Sequence, residues 1–301
     1  MPPFLGLTIA LLNGIILKNT ISGENMNTVF EKAYAKINLT LDIVGLLPNG
    51  YHLLESIMQP ISLCDGVKVS RLDGIGVEII CEGSNMPTDN SNTMYKATTL
   101  FMEQFGLESK IVIEIEKKIP MQAGLGGGSA DAAAVLRALN ELFDYPSTQE
   151  QLLDIASKVG ADVPFCVINI VAHCSSFGEI VKPIDQFDKM YLLLVKPDFG
   201  ITTPEAYKAF DEKKLSSKFA TRKVMNGENL LDCLSNDLEN AVTRPEIEEI
   251  KSLLIENGAK ASLMTGSGSC VFGIFESKDD CESAEAILSE KYPFVKACET
   301  I

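Results

Sequence analysis

Residues 120–131 have the sequence PMQAGLGGGSAD and join two segments of different periodicity. The preceding run, IVIEIE at 111–116, alternates apolar and polar residues as a strand does, and the following run, AAAVLRALNELF at 132–143, is typical of a helix. Glycines between a strand and a helix let backbone N–H groups approach a ligand without Cβ clashes. Because a helix N-terminus also attracts anions, the segment predicts a phosphate site. The alternative is a glycine-rich connection without a ligand.

Two common phosphate-binding patterns do not describe this loop. A P-loop requires Gly-Lys-Ser/Thr, and no such triplet follows the glycines. The dinucleotide fingerprint requires a third glycine at the place that Ser129 occupies after Gly124 and Gly126. The loop therefore indicates a phosphate ligand of another class.

Composition argues against several kinds of function. The 301 residues carry a net charge of −15, which opposes binding to a nucleic-acid backbone. Eight cysteines are scattered singly without a CxxC pair, which indicates reduced thiols in a cytoplasmic protein rather than a disulfide framework. With only two histidines, a histidine-rich metal site is not expected.

The N-terminal segment does not fit the pattern of the rest of the chain. Residues 4–17 are apolar but too short to span a bilayer. No Lys or Arg precedes them, as a signal peptide would require. We therefore interpret residues 1–28 as an extension, expect no membrane partner, and predict that residues 1–25 are dispensable.

Strand and helix patterns alternate irregularly along the remaining chain. Strands are predicted at 33–44, 111–116, 161–170 and 191–197, with two more joined by a Gly-Ser turn within 261–275. Helices are predicted at 92–105, 132–143, 236–242 and 246–259, and from a capping box of Ser147 and Glu150 to Val159. Asn49-Gly50 indicates a hairpin turn, and the polar segment 211–229 indicates a loop.

Two charged residues are candidates for chemistry on a bound phosphate. Lys36 lies on the polar face of the first strand beside Asn38, and Asp162 follows a helix-ending glycine. Phosphoryl transfer to an alcohol needs a cradle for the triphosphate, a group near the nucleophilic hydroxyl, and positive charge. From position alone, however, a solvated strand lysine and an ordinary turn aspartate are the favoured interpretations.

Several segments resemble the GHMP kinases, which include galactokinase, homoserine kinase and mevalonate kinase. PMQAGLGGGSADAA resembles their phosphate-binding motif, and MTGSGSCVFGIF at 264–275 resembles their C-terminal glycine motif. A branch of this superfamily that phosphorylates a cytidine diphosphate alcohol is resembled over roughly residues 30–295, most specifically at 35–65, 160–167 and 236–239. One departure is Asn169-Ile170, which stands where that branch usually has a Gly pair.

The resemblance implies a fold and a set of ligands. The fold is α+β, with an N-terminal ribosomal-protein-S5-like domain at 29–175 and a C-terminal ferredoxin-like domain at 176–301. ATP and Mg²⁺ are implied as cofactors, without an assignment of the metal ligands. A small cytidine diphosphate substrate is implied between the domains, and the oligomeric state is left open.

The resemblance also implies residue roles. Lys36 and Asp162 would act as the catalytic pair. Ser129 would contact a phosphate oxygen or Mg²⁺, unless it serves only as the helix N-cap. Tyr207 would stack on the base, unless it only packs its helix. ATP would be bound by Asn92 near the adenine and by Pro120, Met121, Gln122, Ala123, Gly124, Leu125, Gly126, Gly127, Gly128, Ser129 and Ala130. The cytidine substrate would be bound by Asn38, Tyr51, His52, Thr203 and Tyr207, with the aromatic rings on the faces of the cytosine and the His52 segment hydrogen-bonded to its edge.

Two other functions remain open at this point. The first is a GHMP kinase acting on homoserine, a sugar or mevalonate, against which the NGYH segment at 49–52 argues. The second is a non-catalytic nucleotide-binding protein of the same fold. The presence of both Lys36 and Asp162 argues against the second.

Overall fold

The computed structural model describes residues 27–48 and 50–301. Most of the predicted extension at 1–28 lies outside these residues. Asn49 of the predicted turn lies outside them as well. Across the described part of the chain, no helix is both long and apolar enough to span a membrane.

The first part of the chain contains both strands and helices. In order, these elements are β1 (Thr28–Leu46), β2 (His52–Leu72), β3 (Gly76–Ile80), α1 (Thr93–Phe105), β4 (Lys110–Glu116), α2 (Gly127–Leu142), α3 (Gln149–Val159), α4 (Val163–Ile168), β5 (Ala172–Ser176) and β6 (Ile180–Pro183). The predicted helix at 92–105 and strand at 111–116 are present within one residue at each end.

The second half of the chain contains the remaining elements. They are β7 (Tyr191–Lys196), α5 (Thr203–Lys213), α6 (Ala220–Met225), α7 (Leu230–Cys233), β8 (Ser235–Asn236), α8 (Asp237–Ala241), α9 (Pro245–Glu256), β9 (Ala261–Met264), β10 (Val271–Phe275), α10 (Lys278–Leu288) and β11 (Phe294–Glu299). The polar segment 211–229 is not simply a loop, because it includes the end of α5 and all of α6.

Two sheets result from these strands. The first has the order β3-β4-β2-β1-β8, and β5 pairs with β2 and with β6. The second has the order β11-β7-β10-β9 and is antiparallel throughout. The domain boundary predicted at 175/176 falls inside β5, whose hairpin partner β6 belongs to the first sheet. Sheet pairing therefore favours a division after Pro183.

β1 and β2 form a long hairpin at the centre of the first sheet. The Leu47 N–H donates to the Tyr51 carbonyl at 2.8 Å and closes the turn before His52 pairs with Leu46. Both faces of β1 are buried from Ala35 to Ile43, so the polar face predicted for this strand does not meet solvent there. Lys36 is only 4 % exposed, and its interpretation as a solvated strand lysine is therefore wrong.

Helix α2 lies against β1 and carries the predicted glycines at its start. Ala132, Ala133 and Ala134 are all fully buried on this helix. Small side chains allow the helix backbone to come close to its neighbours, and α1 and α4 pack against it as well. The glycine loop at the start of α2 is therefore held by the first hydrophobic core.

Two local predictions are wrong. Within the segment 161–170, Val163–Ile168 form the helix α4 and not a strand; Pro164 is tolerated in its first turn, where the missing N–H costs no hydrogen bond. The capping box of α3 consists of Thr148 and Gln151, one residue beyond the predicted pair. The Ser147 hydroxyl instead lies 2.7 Å from the Asn140 side-chain oxygen.

The departure at Asn169-Ile170 has a clear backbone consequence. Asn169 ends α4 in the left-handed conformation, with φ of 52°, and its N–H donates to the Phe165 carbonyl at 2.7 Å. Asparagine tolerates this conformation better than other residues with a side chain. The chain therefore leaves α4 through a left-handed turn without a glycine.

Candidate active site

A cleft of about 1050 Å³ lies where the two sheets and their helices meet. Most of the predicted site residues line it: Lys36, Asn38, Tyr51, His52, residues 120–129, Asp162, Thr203 and Tyr207. Ala130 is buried behind the loop, at 1 % exposure. The cleft thus brings together segments that are far apart in the sequence.

The glycine loop forms the floor of the cleft at the start of α2. Gly126 is the N-cap residue, with φ of 69°, and the helix begins at Gly127. Ser129 therefore lies within the first turn, so its alternative role as N-cap is wrong. The first-turn N–H groups of a helix lack intrahelical partners and favour an anion. These N–H groups belong to residues that line the cleft.

The second glycine motif packs directly against the first. A Cβ atom at Gly124 would lie 2.0 Å from the Thr265 carbonyl oxygen, so only glycine allows this approach. The Ser269 N–H donates to the Gln122 carbonyl at 3.3 Å, and the Cys270 N–H donates to the Ala123 carbonyl at 3.2 Å. The loop is thus fixed from the second domain.

Lys36 links the loop to Asp162. The Lys36 ammonium lies 3.6 Å from the Asp162 carboxylate and donates to the Asn38 side-chain oxygen at 2.6 Å. The backbone N–H of Lys36 donates to the Leu125 carbonyl at 3.1 Å. A Cβ atom at Gly126 would lie 3.0 Å from the Lys36 side chain, so the lysine stem runs along the loop. The charged pair is therefore adjacent to the predicted phosphate cradle.

Asn38 is engaged within the protein. Its side-chain N–H donates to the Ser56 hydroxyl at 2.8 Å, while its oxygen accepts from Lys36. Its backbone N–H donates to the Thr265 hydroxyl at 3.0 Å. This arrangement supports Lys36, whereas the sequence predicted a contact between Asn38 and substrate.

Asn92 does not line the cleft. Its side-chain oxygen caps α1 by accepting from the Met94 N–H at 2.8 Å, and its amide donates to the Pro87 carbonyl at 2.6 Å. The next residue, Thr93, does line the cleft. The structure therefore gives Asn92 a helix-capping role at the edge of the site.

Aromatic residues form the other end of the cleft. The Tyr207 ring stacks on the His52 ring, with centroids 4.6 Å apart and planes 20° from parallel. Tyr51 meets Phe177 edge-on at 5.6 Å. Burial raises the pKa of Tyr207 to about 12, and the charge of Asp162 adds to this shift. In this structure Tyr51 and Tyr207 thus each contact another ring of the protein, where the sequence predicted that both contact a base.

A buried charge cluster lies behind the glycine loop and was not predicted. The Lys117 ammonium donates to Asp131 at 2.6 Å and also contacts Asp65, and both carboxylates are almost fully buried. Burial lowers the pKa of Lys117, but the two carboxylates outweigh it and raise the pKa overall. Burial raises the pKa of Asp131 to about 7. Lys117 itself lines the cleft.

Other cleft residues have no predicted role in the sequence, among them Phe177 and Asp211, whereas Ser267 belongs to the C-terminal glycine motif. Asp211 follows Tyr207 by one helical turn, and this i, i+4 spacing was the available signal. Phe177 lies between β5 and β6 and had no comparable signal in the sequence.

Comparisons with known proteins agree with this architecture. A family model described as GHMP kinases N terminal domain matches residues 92–169, and one described as GHMP kinases C terminal matches residues 220–293. The 4-diphosphocytidyl-2-C-methyl-D-erythritol kinase of Clostridium tetani is 42 % identical over 278 residues, which cover 90 % of this chain and 99 % of the relative.

Solved structures give a similar result. A crystal structure of 4-(cytidine 5'-diphospho)-2C-methyl-D-erythritol kinase matches with a TM-score of 0.76 and 30 % identity, covering 90 % of this chain and 99 % of the other. Homoserine kinase from Cytophaga hutchinsonii matches with a TM-score of 0.67 and 18 % identity, covering 94 % and 97 %. The second match indicates a shared fold alone.

Proposed function

The chain belongs to the 4-diphosphocytidyl-2-C-methyl-D-erythritol kinases of the GHMP superfamily, and we propose that it transfers the γ-phosphoryl group of ATP to the 2-hydroxyl of 4-diphosphocytidyl-2-C-methyl-D-erythritol. This reaction belongs to non-mevalonate isoprenoid biosynthesis. The observation that carries the proposal is the contact of Lys36 with Asp162 at 3.6 Å beside the glycine loop.

The two charged residues would have complementary roles. Asp162 would accept or orient the proton of the attacking hydroxyl, since its carboxylate is partly exposed to the cleft. Lys36 would stabilise the negative charge that develops on the transferring phosphoryl group. Because Asn38 and the loop hold Lys36 in place, its charge is positioned before the substrate binds.

The nucleotide would lie over the start of α2. Gly124, Gly126 and the first-turn residues of this helix leave room for phosphate oxygens close to backbone N–H groups. Adenine would lie toward Thr93 and Lys117, which line the cleft near the loop.

We propose that Mg²⁺ binds together with ATP. Magnesium usually takes one or two carboxylates, substrate phosphates and several waters, and it does not require a cage of protein ligands. In the part of the chain that the structure describes, no cluster of three His, Cys, Asp or Glu residues forms such a cage. Ser129 lies in the first turn of α2 and lines the cleft, so it would contact the ion or a phosphate oxygen, and Mg²⁺ would neutralise phosphate charge there.

The cytidine end of the acceptor would lie against Tyr51, Thr203 and Tyr207. These residues line the cleft on the side of α5, and Tyr51 is 62 % exposed. Flat bases gain from contact with aromatic rings. The acidic composition agrees with a small-molecule acceptor rather than a nucleic acid. The eight free thiols agree with a cytoplasmic location.

A coupled assay of ADP release tests this function. The purified protein with ATP and Mg²⁺ should use the cytidine diphosphate substrate and should not turn over homoserine, galactose or mevalonate at comparable kcat/KM. Preferential use of one of those alcohols would identify another GHMP kinase activity. ATP binding without turnover of any acceptor would favour the non-catalytic alternative.

A further inference from the structure

Helix α5 contacts the His52 ring in three different ways. Tyr207 covers one face of the ring at 4.6 Å, and Phe210 meets the ring edge-on at 6.3 Å. The Asp211 carboxylate lies 2.8 Å from the His52 Nε2 atom. The His52 side chain is consequently only 9 % exposed, although it lines the cleft.

The contact with Asp211 determines which ring nitrogen carries the proton. An ionised carboxylate only accepts hydrogen bonds, so Nε2 must carry the hydrogen that it donates to Asp211. In a neutral imidazole the other nitrogen, Nδ1, is then an acceptor. Asp211 thus selects one tautomer of a ring at the edge of the cleft.

The proposed cytidine site at Tyr51 and Tyr207 would place the base next to His52, where an acceptor distinguishes two pyrimidines. Cytosine carries an exocyclic amino group, which donates, whereas uracil carries a carbonyl oxygen at the same position, which only accepts. An acceptor nitrogen on the ring can accept a hydrogen bond from the cytosine amino group. Against the uracil carbonyl oxygen it would face a second acceptor, and no hydrogen bond would form. Sites that pair a polar group of the substrate reject an analogue that cannot form the same hydrogen bond.

We propose that Asp211 is a positioning residue that acts through His52, holding the ring in the tautomer and orientation that favour a cytidine over a uridine acceptor. The inference rests on the proposed function, since it concerns the acceptor of that reaction. Asp211 does not contact the reacting atoms in this arrangement. Its effect is on the choice of the base.

Replacing Asp211 tests the proposal at the level of specificity. Asp211→Asn keeps the shape but offers both a donor and an acceptor to Nε2, so the tautomer is no longer selected. The cytidine preference is the kcat/KM for the cytidine substrate divided by that for its uridine analogue. We expect this ratio to fall by about tenfold, which is the effect of losing one hydrogen bond between His52 and the cytosine. The change should come from a higher KM for the cytidine acceptor, with kcat and the KM for ATP unchanged.

Glu212→Gln is the matched control. Glu212 is the next residue on α5, and its side chain is 67 % exposed and pairs only loosely with Lys208 at 3.8 Å. This variant removes one carboxylate from the same helix without contact to His52. The cytidine preference should remain at the wild-type value, and an equal loss in both variants would attribute the effect to general charge and overturn the proposal.

Nitrogen NMR of the imidazole rings provides a readout that does not depend on turnover. The chain contains only His52 and His173, and the signals of His52 are identified by their loss in His52→Gln. At about pH 8.5, wild-type His52 should carry its hydrogen on Nε2, where Asp211 accepts it. Asp211→Asn should show a mixture of the two tautomers.

The possible outcomes separate the inference from the proposed function. If wild type uses the cytidine acceptor but Asp211→Asn keeps its full preference, the inference fails and the function stands. If His52 carries its hydrogen on Nδ1 in wild type, the inference also fails. If wild type does not use the cytidine acceptor at all, the proposed function fails and the role in base choice fails with it.

Discussion

Lys36 shows how one buried cation is held beside a phosphate site. Its ammonium has an amide partner in Asn38 and a carboxylate partner in Asp162, and its stem lies along the glycine loop. A buried lysine without such partners would be costly. Asn38 lies on the same strand, but Asp162 and the glycine loop come from distant segments of the chain, so the environment of this residue depends on the assembled fold.

Asp162→Asn should reduce kcat by ~10²–10⁴-fold, because it removes the proton acceptor while keeping the side-chain shape. Nucleotide affinity, measured by calorimetry, should change little. Asp185→Asn, which replaces an exposed aspartate in the connection between the two sheets, is the control and should be fully active. Activity of Asp162→Asn within a few-fold of wild type would remove Asp162 from the mechanism.

Lys36→Met should also reduce kcat, with a smaller effect on the KM for ATP. The charge of Lys36 matters most when the phosphoryl group moves, and this produces a loss of kcat rather than of ground-state binding. Steady-state kinetics with varied ATP separate the two quantities. A change confined to the KM for ATP would instead make Lys36 a ligand of bound nucleotide.

Asp131 is a second residue whose environment produces a measurable effect. Its Oδ1 atom is buried and, among the described residues, has no hydrogen-bond partner. Burial raises the pKa of Asp131 from its ordinary value of 3.8 to about 7. The folded protein therefore retains a proton that the unfolded chain has already lost, so the free energy of unfolding falls as the pH rises between these two values.

Asp131→Asn should remove this pH dependence. Relative to wild type, the free energy of unfolding of the variant should rise between pH 4 and pH 8 by up to about 4 kcal/mol, since a pKa difference of one corresponds to about 1.4 kcal/mol. Urea denaturation at several pH values measures the difference. Asp154→Asn, at an exposed pair with Lys158, should show no such trend. Parallel curves for wild type and Asp131→Asn would contradict the prediction.

At the scale of elements, the two glycine motifs form one unit. The loop before α2 and the turn between β9 and β10 approach so closely that Gly124 and Thr265 leave no room for a side chain. Gly126 faces only the flexible stem of Lys36. The two glycines therefore have different roles, although both have positive φ values of about 70°.

Gly124→Ala and Gly126→Ala should consequently fail in different ways. Gly124→Ala forces two backbone segments apart and should destabilise the fold by more than about 3 kcal/mol, seen as a large fall in Tm or loss of soluble protein. Gly126→Ala should fold with a moderate loss of stability, of about 1–2 kcal/mol for its left-handed backbone. It should lose kcat because Lys36 is displaced. Equal stability of the two variants would show that the close approach is not important.

Helix α4 illustrates how an element was misassigned from its sequence. ADVPFCVINI is a short apolar run, and periodicity alone cannot distinguish a buried strand from a buried helix at this length. Packing against α2 and α3 selects the helix. As a result Asp162 lies at a helix start facing the cleft, which the strand prediction did not provide.

At the scale of the whole molecule, the C-terminus ties the two sheets together. Thr300 forms a bridge with Ile61 in β2, and the Gln59 side-chain amide donates to the Ile301 carbonyl at 3.1 Å. The second domain also fixes the glycine loop, through the Thr265 hydroxyl on the Gly124 carbonyl and the Cys270 N–H on the Ala123 carbonyl. The joining of the sheets and the position of the glycine loop thus both depend on residues from both halves of the chain.

A chain that begins at Met26 should be soluble and as active as the complete chain. β1 begins at Thr28, and the Asn27 carbonyl accepts from the Arg71 N–H at 2.8 Å, so the first sheet is preserved. Comparison of Tm and kcat/KM for the two chains measures the effect. A fall in Tm of more than a few degrees would indicate that the apolar N-terminal segment packs on the folded domains.

The sequence by itself determined the features that depend on local pattern. The glycine loop between β4 and α2, the alternation of β1, and the helix signals around α1 and α9 each depend on residues a few positions apart. Together with the family resemblance, they also pointed to Lys36 and Asp162. Turn residues and periodicity are local properties, so one segment contains the information.

Only the tertiary structure decided the contacts between distant segments. Three such contacts join residues more than a hundred positions apart: Lys36 with Asp162, Gly124 with Thr265, and His52 with Asp211 on α5. Asn92 lies outside the cleft and Phe177 within it, for reasons of packing that no local pattern shows. Such contacts depend on which surfaces the two domains present to each other, and that is a property of the complete folded chain.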